Sequence, residues 1–216
     1  MRLRRKPWID EAIKDYEDIV RFGPLEELAG CWQTEFGRTA PLYVELGTGK
    51  GRFISELAER HRDINFIGIE AQQDVLFYAA RKVRDKGLTN VRLLVFDING
   101  ITNIFAPGEV DRFYINFCDP WPKARHAKRR LTYRGFLEKY RSLLKTDGEL
   151  HFKTDNRTLF DFSLEEFRES GLRLRNVTYD LHAEGAPGRS ENIMTEYEEK
   201  FSAKGTKINR AEILFS

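Results

Sequence analysis

The chain has 216 residues, 41% of them hydrophobic and 32% charged, with 36 Lys and Arg against 34 Asp and Glu for a formal net charge of +2. A chain of this length buries roughly 70% of the surface its unfolded form exposes, and 12% aromatic residues exclude a disordered polar chain. No apolar stretch approaches the ~18 to 20 residues of a membrane span, and Cys31 and Cys118 are too few for a disulfide framework and lack zinc-binding spacing, so both are expected as reduced thiols and no metal is expected.

In chain order, residues 1–7 are basic through Arg2, Arg4, Arg5 and Lys6, but Asp10, Glu11, Lys14 and Asp15 follow where a signal peptide would need an apolar core. A cytoplasmic protein is expected. Residues 1–38 read as a helical lead-in, and residues 39–216 as a single globular unit. From there short apolar runs at 42–46, 65–70, 91–97, 112–118 and 149–154 alternate with amphipathic stretches at 52–61, 74–86, 133–144 and 158–170. That alternation predicts an α/β fold: a mostly parallel seven-stranded sheet, right-handed crossovers and helices on both faces. Residues 172–181 and 196–201 read as the last two strands, an antiparallel C-terminal addition joined by a Gly- and Pro-containing loop at 182–192.

The motifs fall at the carboxyl ends of the strands, where sites in open α/β sheets form. Glu45-Leu46-Gly47-Thr48-Gly49-Lys50-Gly51 lies where a strand gives way to a helix, and its alternate glycines allow a tight turn and close approach by a ligand. Arg52 stands where a dinucleotide fingerprint needs glycine, and Gly51 stands where a P-loop needs Ser or Thr. Glu70, Asp97 and Asp119 end the next three strands, and the two oxygens of a carboxylate can accept from two adjacent hydroxyl donors. Pro120 and Pro122 stiffen the turn after Asp119. From Lys123 to Arg134 there are six Lys or Arg and no carboxylate, a phosphate-attracting surface that the net charge conceals.

The glycine loop resembles the E-x-G-x-G-x-G loop of class I S-adenosylmethionine-dependent methyltransferases. Together with Ile69-Glu70, the run Asp119-Pro120-Trp121-Pro122-Lys123 with Arg125-His126 and Lys128-Arg129-Arg130, and Thr195-Glu196-Tyr197-Glu198, it is similar to the bacterial tRNA (guanine-N7-)-methyltransferase family over about residues 40–203. The resemblance implies a Rossmann-like class I methyltransferase fold, S-adenosylmethionine as donor, and tRNA as partner, methylated at N7 of the variable-loop guanine, conventionally position 46. It further implies that Glu45, Gly47, Gly49, Gly51, Glu70, Asp97 and Asp119 surround the cofactor, with Asp119 also catalytic. Lys123, Asp155, Thr195 and Glu198 would contact substrate, and Arg125, His126, Lys128, Arg129 and Arg130 would hold RNA. The amino-terminal cations are an optional extension of that footprint, and both monomer and homodimer stay open.

Three rivals stand beside this reading: a nicotinamide-dependent oxidoreductase, a non-catalytic RNA-binding protein, and a methyltransferase acting on another RNA base. His61 and His182 show no partner in the sequence, and His151 reads as a strand residue. Trp8 and Trp32 read as core or interface, and Tyr197 as core.

Overall fold

The computed structural model describes residues 6–216, so Arg2, Arg4 and Arg5 lie outside the described residues. The chain forms two units, one ending at Phe105 and the other beginning at Ala106.

In the first unit, helix α1 (Trp8–Ala12), a two-residue strand β1 (Val20–Arg21) and α2 (Trp32–Phe36) precede β2 (Leu42–Leu46), α3 (Arg52–Arg60), β3 (Asn65–Glu70), α4 (Gln73–Asp85) and β4 (Val91–Val95). These four strands run in the order β1-β4-β3-β2, all parallel. Val44, Leu46, Ile67, Ile69, Leu93 and Leu94 are buried, as strands covered on both faces require. Gly68 lets α3 come close: a Cβ there would meet Leu93 at 2.8 Å and Ile54 at 3.0 Å. The lead-in is built into this unit. Ile9, Ile13, Val20 and Trp32 are buried, and the Trp32 indole Nε1 donates to the Ile104 carbonyl at 2.8 Å. Trp8, by contrast, is exposed and meets Phe77 only edge-on.

The second unit contains β5 (Val110–Asn116), α5 (Arg134–Leu143), β6 (Leu144–Thr154), α6 (Arg157–Glu169), β7 (Arg173–Thr178), α7 (Glu196–Ser202) and β8 (Asn209–Leu214). Its strand order is β5-β6-β8-β7; β6 is parallel to β5, and β8 is antiparallel to both β6 and β7. Among the described residues β2 to β7 correspond to six of the seven strands expected, β8 takes the place of the seventh, and β1 is an additional one.

One expected element is corrected. Residues 196–201, read as a strand, are the helix α7. Thr195 supplies its N-cap, the side-chain oxygen accepting from the Glu198 backbone N–H at 2.9 Å, and Glu196, Glu198 and Glu199 place negative charge at the positive end of the helix. The antiparallel strand is β8 instead, which the apolar pattern did not reveal.

The pleat of β6 separates two environments. Leu150 and Phe152 are buried, with Phe152 against Phe160 and Phe167 of α6. Glu149, His151 and Lys153 alternate with them on the opposite face, where Arg112 pairs with Glu149, Arg175 bridges Glu149 at 2.7 Å and Glu212 at 2.6 Å, and Arg210 pairs with Glu212 at 2.5 Å. Ligand atoms of Glu149, His151 and Glu212 approach within 4.8 Å of one another, but the three arginines already neutralise the two carboxylates.

Burial alone would raise the Glu149 carboxyl; the His151 contact and the charges of Arg112 and Arg175 outweigh it and lower its pKa from 4.5 to about 2. A carboxylate depressed on folding contributes stability above its unfolded value and loses it as pH falls through the folded one. Urea unfolding of Glu149→Gln should therefore show an acid limb flatter than the parent's by about 2 kcal/mol between about pH 5 and about pH 3; parallel limbs would count against this cluster.

Candidate functional site

In the first unit the glycine loop is shaped by three left-handed residues, Gly47, Gly49 and Gly51, with φ of 83°, 57° and 77°. The Gly47 and Thr48 amides both donate to the Ile69 carbonyl at 2.9 Å, which fastens the loop to the end of β3. Nothing lies within 4 Å of a Cβ built on Gly47 or Gly49, so both open onto free space, whereas a Cβ on Gly51 would meet Ala79 Cβ at 2.5 Å. Gly51 is thus where α4 passes against the start of α3.

Two of the expected carboxylates, Glu45 and Glu70, hold that loop, and a third, Asp97, follows the end of β4. Glu45 is buried and accepts the Thr48 hydroxyl at 2.6 Å. Glu70 accepts the Gly49 amide at 3.2 Å on one oxygen and the Gln72 amide at 3.0 Å on the other. A carboxylate has about four acceptor positions, so Glu70 retains capacity for two hydroxyls. Asp97 is exposed and caps the following 3-10 turn by accepting the Asn99 amide at 2.9 Å.

In the second unit β5 runs out into Phe117-Cys118-Asp119-Pro120-Trp121-Pro122. Phe117 and Trp121 hold positive φ values of 55° and 41°, which bulky side chains rarely adopt. The Phe117 amide donates to the Lys153 carbonyl at 2.9 Å, and Asp119 stands exposed between the two strained residues. Burial and the Asp119 charge push the Cys118 thiol up to about 12, so it stays protonated at neutral pH.

The basic run that follows is sorted by burial. Lys123, Arg125, Lys128 and Arg129 are exposed around a 3-10 helix at Ala124–Arg129. The Arg129 guanidinium lies 4.9 Å above the Trp121 ring, and His126 meets the same ring edge-on at 5.7 Å. Arg130 departs from the expectation that it faces RNA. It is only 7% exposed, donates to the Pro120 and Trp121 carbonyls at 3.1 and 3.0 Å, and stacks over Phe162 at 4.2 Å. Its charge goes into closing the proline turn.

Asp155 follows β6 directly, and its Oδ2 accepts the Tyr197 hydroxyl at 3.1 Å. Tyr197 is 41% exposed rather than core, stacked on Phe201 at 4.1 Å and tilted against Phe117 at 5.1 Å. Glu198, expected to touch substrate, is fully buried. One of its oxygens takes the Lys153 ammonium at 2.7 Å; the other takes the Asn192 amide at 2.7 Å and lies 3.0 Å from His182 Nε2. His182 therefore has a neighbour that sequence did not reveal. Lys153 also donates to Asn192 and to the Ile193 carbonyl, each at 2.9 Å. The T-x-x-E pattern at Thr195–Glu198 is the one signal in the sequence that could have placed this segment on a helix.

A family model described as "Putative methyltransferase" matches residues 39–211. A tRNA (guanine-N(7)-)-methyltransferase of Bacillus subtilis (strain 168) is 51% identical over 213 residues, covering 99% of this chain and 98% of its own length. One of Streptococcus suis (strain 05ZYH33) is 49% identical over 215 residues and 100% of both. Among solved structures, an antibiotic-related methyltransferase superposes with a TM-score of 0.60 at 19% identity over 84% of this chain and 92% of that one. A SAM-dependent methyltransferase from Aquifex aeolicus gives 0.56 at 16% identity over 99% and 100%. These show the Rossmann-like methyltransferase fold.

Gly51→Ala should cost about 2 to 4 kcal/mol in denaturant unfolding, combining left-handed strain with overpacking against Ala79. Gly47→Ala, which meets nothing, should show only the backbone part, about 1 kcal/mol.

Proposed function

The chain belongs to the tRNA (guanine-N(7)-)-methyltransferase family, and from that membership we propose that it methylates N7 of the variable-loop guanine of tRNA, conventionally position 46, with S-adenosylmethionine as donor. The observation that carries the reading is the presence in one chain of a glycine loop opening onto free space beside the Glu45 and Glu70 carboxylates and of an exposed acid on a rigid turn ahead of exposed cations.

The residues of the first unit fit the donor. Gly47 and Gly49 leave room for its amino-acid end, Glu45 lies beneath them, Glu70 offers its remaining lone pairs to a ribose diol, and Asp97 is the acceptor for an adenine amino group. When bound, S-adenosylmethionine supplies an electrophilic sulfonium methyl.

The residues of the second unit handle the base. Guanine N7 has an in-plane lone pair and no proton at neutral pH, so no general base is required and the task is placement. Holding reactants ~3 to 3.5 Å apart and in line lowers a barrier by roughly 7 to 11 kcal/mol. Asp119 and Asp155 are acceptors for the guanine N1 and N2 donors, and their negative charge stabilises the cationic ring that methylation creates. Asp119 is the catalytic residue and, by the family resemblance, a cofactor-binding one as well. Lys123 and Thr195 contact the substrate directly. Glu198, being fully buried, serves the same segment from beneath.

Arg125, His126, Lys128 and Arg129 hold the RNA backbone. A base engaged in tertiary pairing costs a few kcal/mol to expose, which phosphate contacts elsewhere must offset. Among the described residues no helix is long and apolar enough to cross a membrane, and the cytoplasm is the compartment in which the substrate is found.

Incubating undermethylated tRNA with labelled donor should place the label on N7 of a single variable-loop guanine; label on any other atom overturns the reading. Asp119→Asn should lower turnover roughly 100-fold, with donor affinity falling by less. Replacing Arg125, Lys128 and Arg129 together by Ala should reduce the slope of log affinity against log salt by about 2 to 3, since each lost phosphate contact removes roughly 0.7 to 0.9.

A further inference from the structure

Asp155 alone, at the end of a strand, has two free torsions and two equivalent oxygens. A carboxylate that must meet the donors of one face of a purine needs one orientation, and something has to hold it. Among the described residues that hold comes from the Tyr197 hydroxyl, 3.1 Å from Oδ2, which leaves Oδ1 outside that bond.

Tyr197 is itself firmly placed. Its ring is stacked on Phe201, one helical turn further along α7, and leans on Phe117. Its neighbour Glu198 is tied to Lys153, two residues before Asp155 on β6, and Thr195 caps the same helix. The helix therefore grips the end of β6 twice, once through a buried ion pair and once through the tyrosine hydroxyl. Burial and the Asp155 charge both push the Tyr197 hydroxyl above its usual value, so it remains the donor throughout the neutral range.

We propose that Tyr197 is a positioning residue: by occupying Oδ2 of Asp155 it turns Oδ1 toward the guanine donors. This deepens the base-binding reading of Asp155 and rests on it. Tyr197 does not touch the reacting atoms; it acts through the carboxylate.

The test is steady-state methylation of unmodified tRNA by the full chain and by Tyr197→Phe, Tyr197→Ala, Asp155→Asn and the double variant Y197F/D155N. Y197F keeps the ring contacts, so its melting temperature should match the parent. Its kcat should fall about 10- to 100-fold, the worth of a hydrogen bond to a charged group, while KM for the donor is unchanged. D155N should fall at least as far, and Y197F/D155N no further than D155N, because both changes remove one unit. Y197F with parental kcat while Y197A is crippled would show a stacking ring and overturn the proposal. Effects of Y197F and D155N that multiply would overturn it too. An unimpaired D155N would defeat the base-binding reading itself, and the proposal with it; a crippled D155N beside a normal Y197F defeats the proposal alone.

Discussion

The second unit depends on an ammonium and a carboxylate taken out of water together. Lys153 and Glu198 have side chains 5% and 0% exposed, 2.7 Å apart, and neither would be tolerated at that depth singly; removing one partner of such a pair costs about 3 to 5 kcal/mol in typical proteins. Asn192, Ile193 and His182 complete the polar surroundings of the pair. A strand end, a helix and the segment before that helix are thus committed to one another by satisfied charges, and the half-buried Asp155 and the exposed Tyr197 stand on that foundation.

The two units differ in the sign and placement of charge. In the first, carboxylates are fixed by backbone amides and by a threonine hydroxyl, which suits a ligand rich in hydroxyl and amino donors. In the second, an exposed acid is followed by exposed cations, which suits a base carried on a phosphate chain. A net charge of +2 describes neither.

Most of the parallel strands were legible because strands covered on both faces read as short apolar runs, as in Val44 to Leu46 and Phe66 to Ile69. The glycine loop and the Asp119 turn were legible because glycine frees the backbone and proline restricts it, both by covalent structure alone. β8 was hidden: its core side rests on Ala211 and Ile213, while Arg210 and Glu212 enter a charged sheet face that no hydropathy pattern marks as interior. Residues 196–201 read as a strand, whereas the Thr195 cap at their start decides in favour of a helix. The inward turn of Arg130 was illegible for a different reason. Neighbouring cations look alike in a sequence, and only the carbonyls of Pro120 and Trp121 single one out.

The arch from Phe117 to Trp121 is wound against its preferred handedness at both feet and pinned by the Phe117 amide and the Arg130 guanidinium. Asp119 at its crown has therefore given up its freedom during folding, before any encounter. A loose loop would have to freeze before its acid could act; in this arch that ordering cost falls within folding.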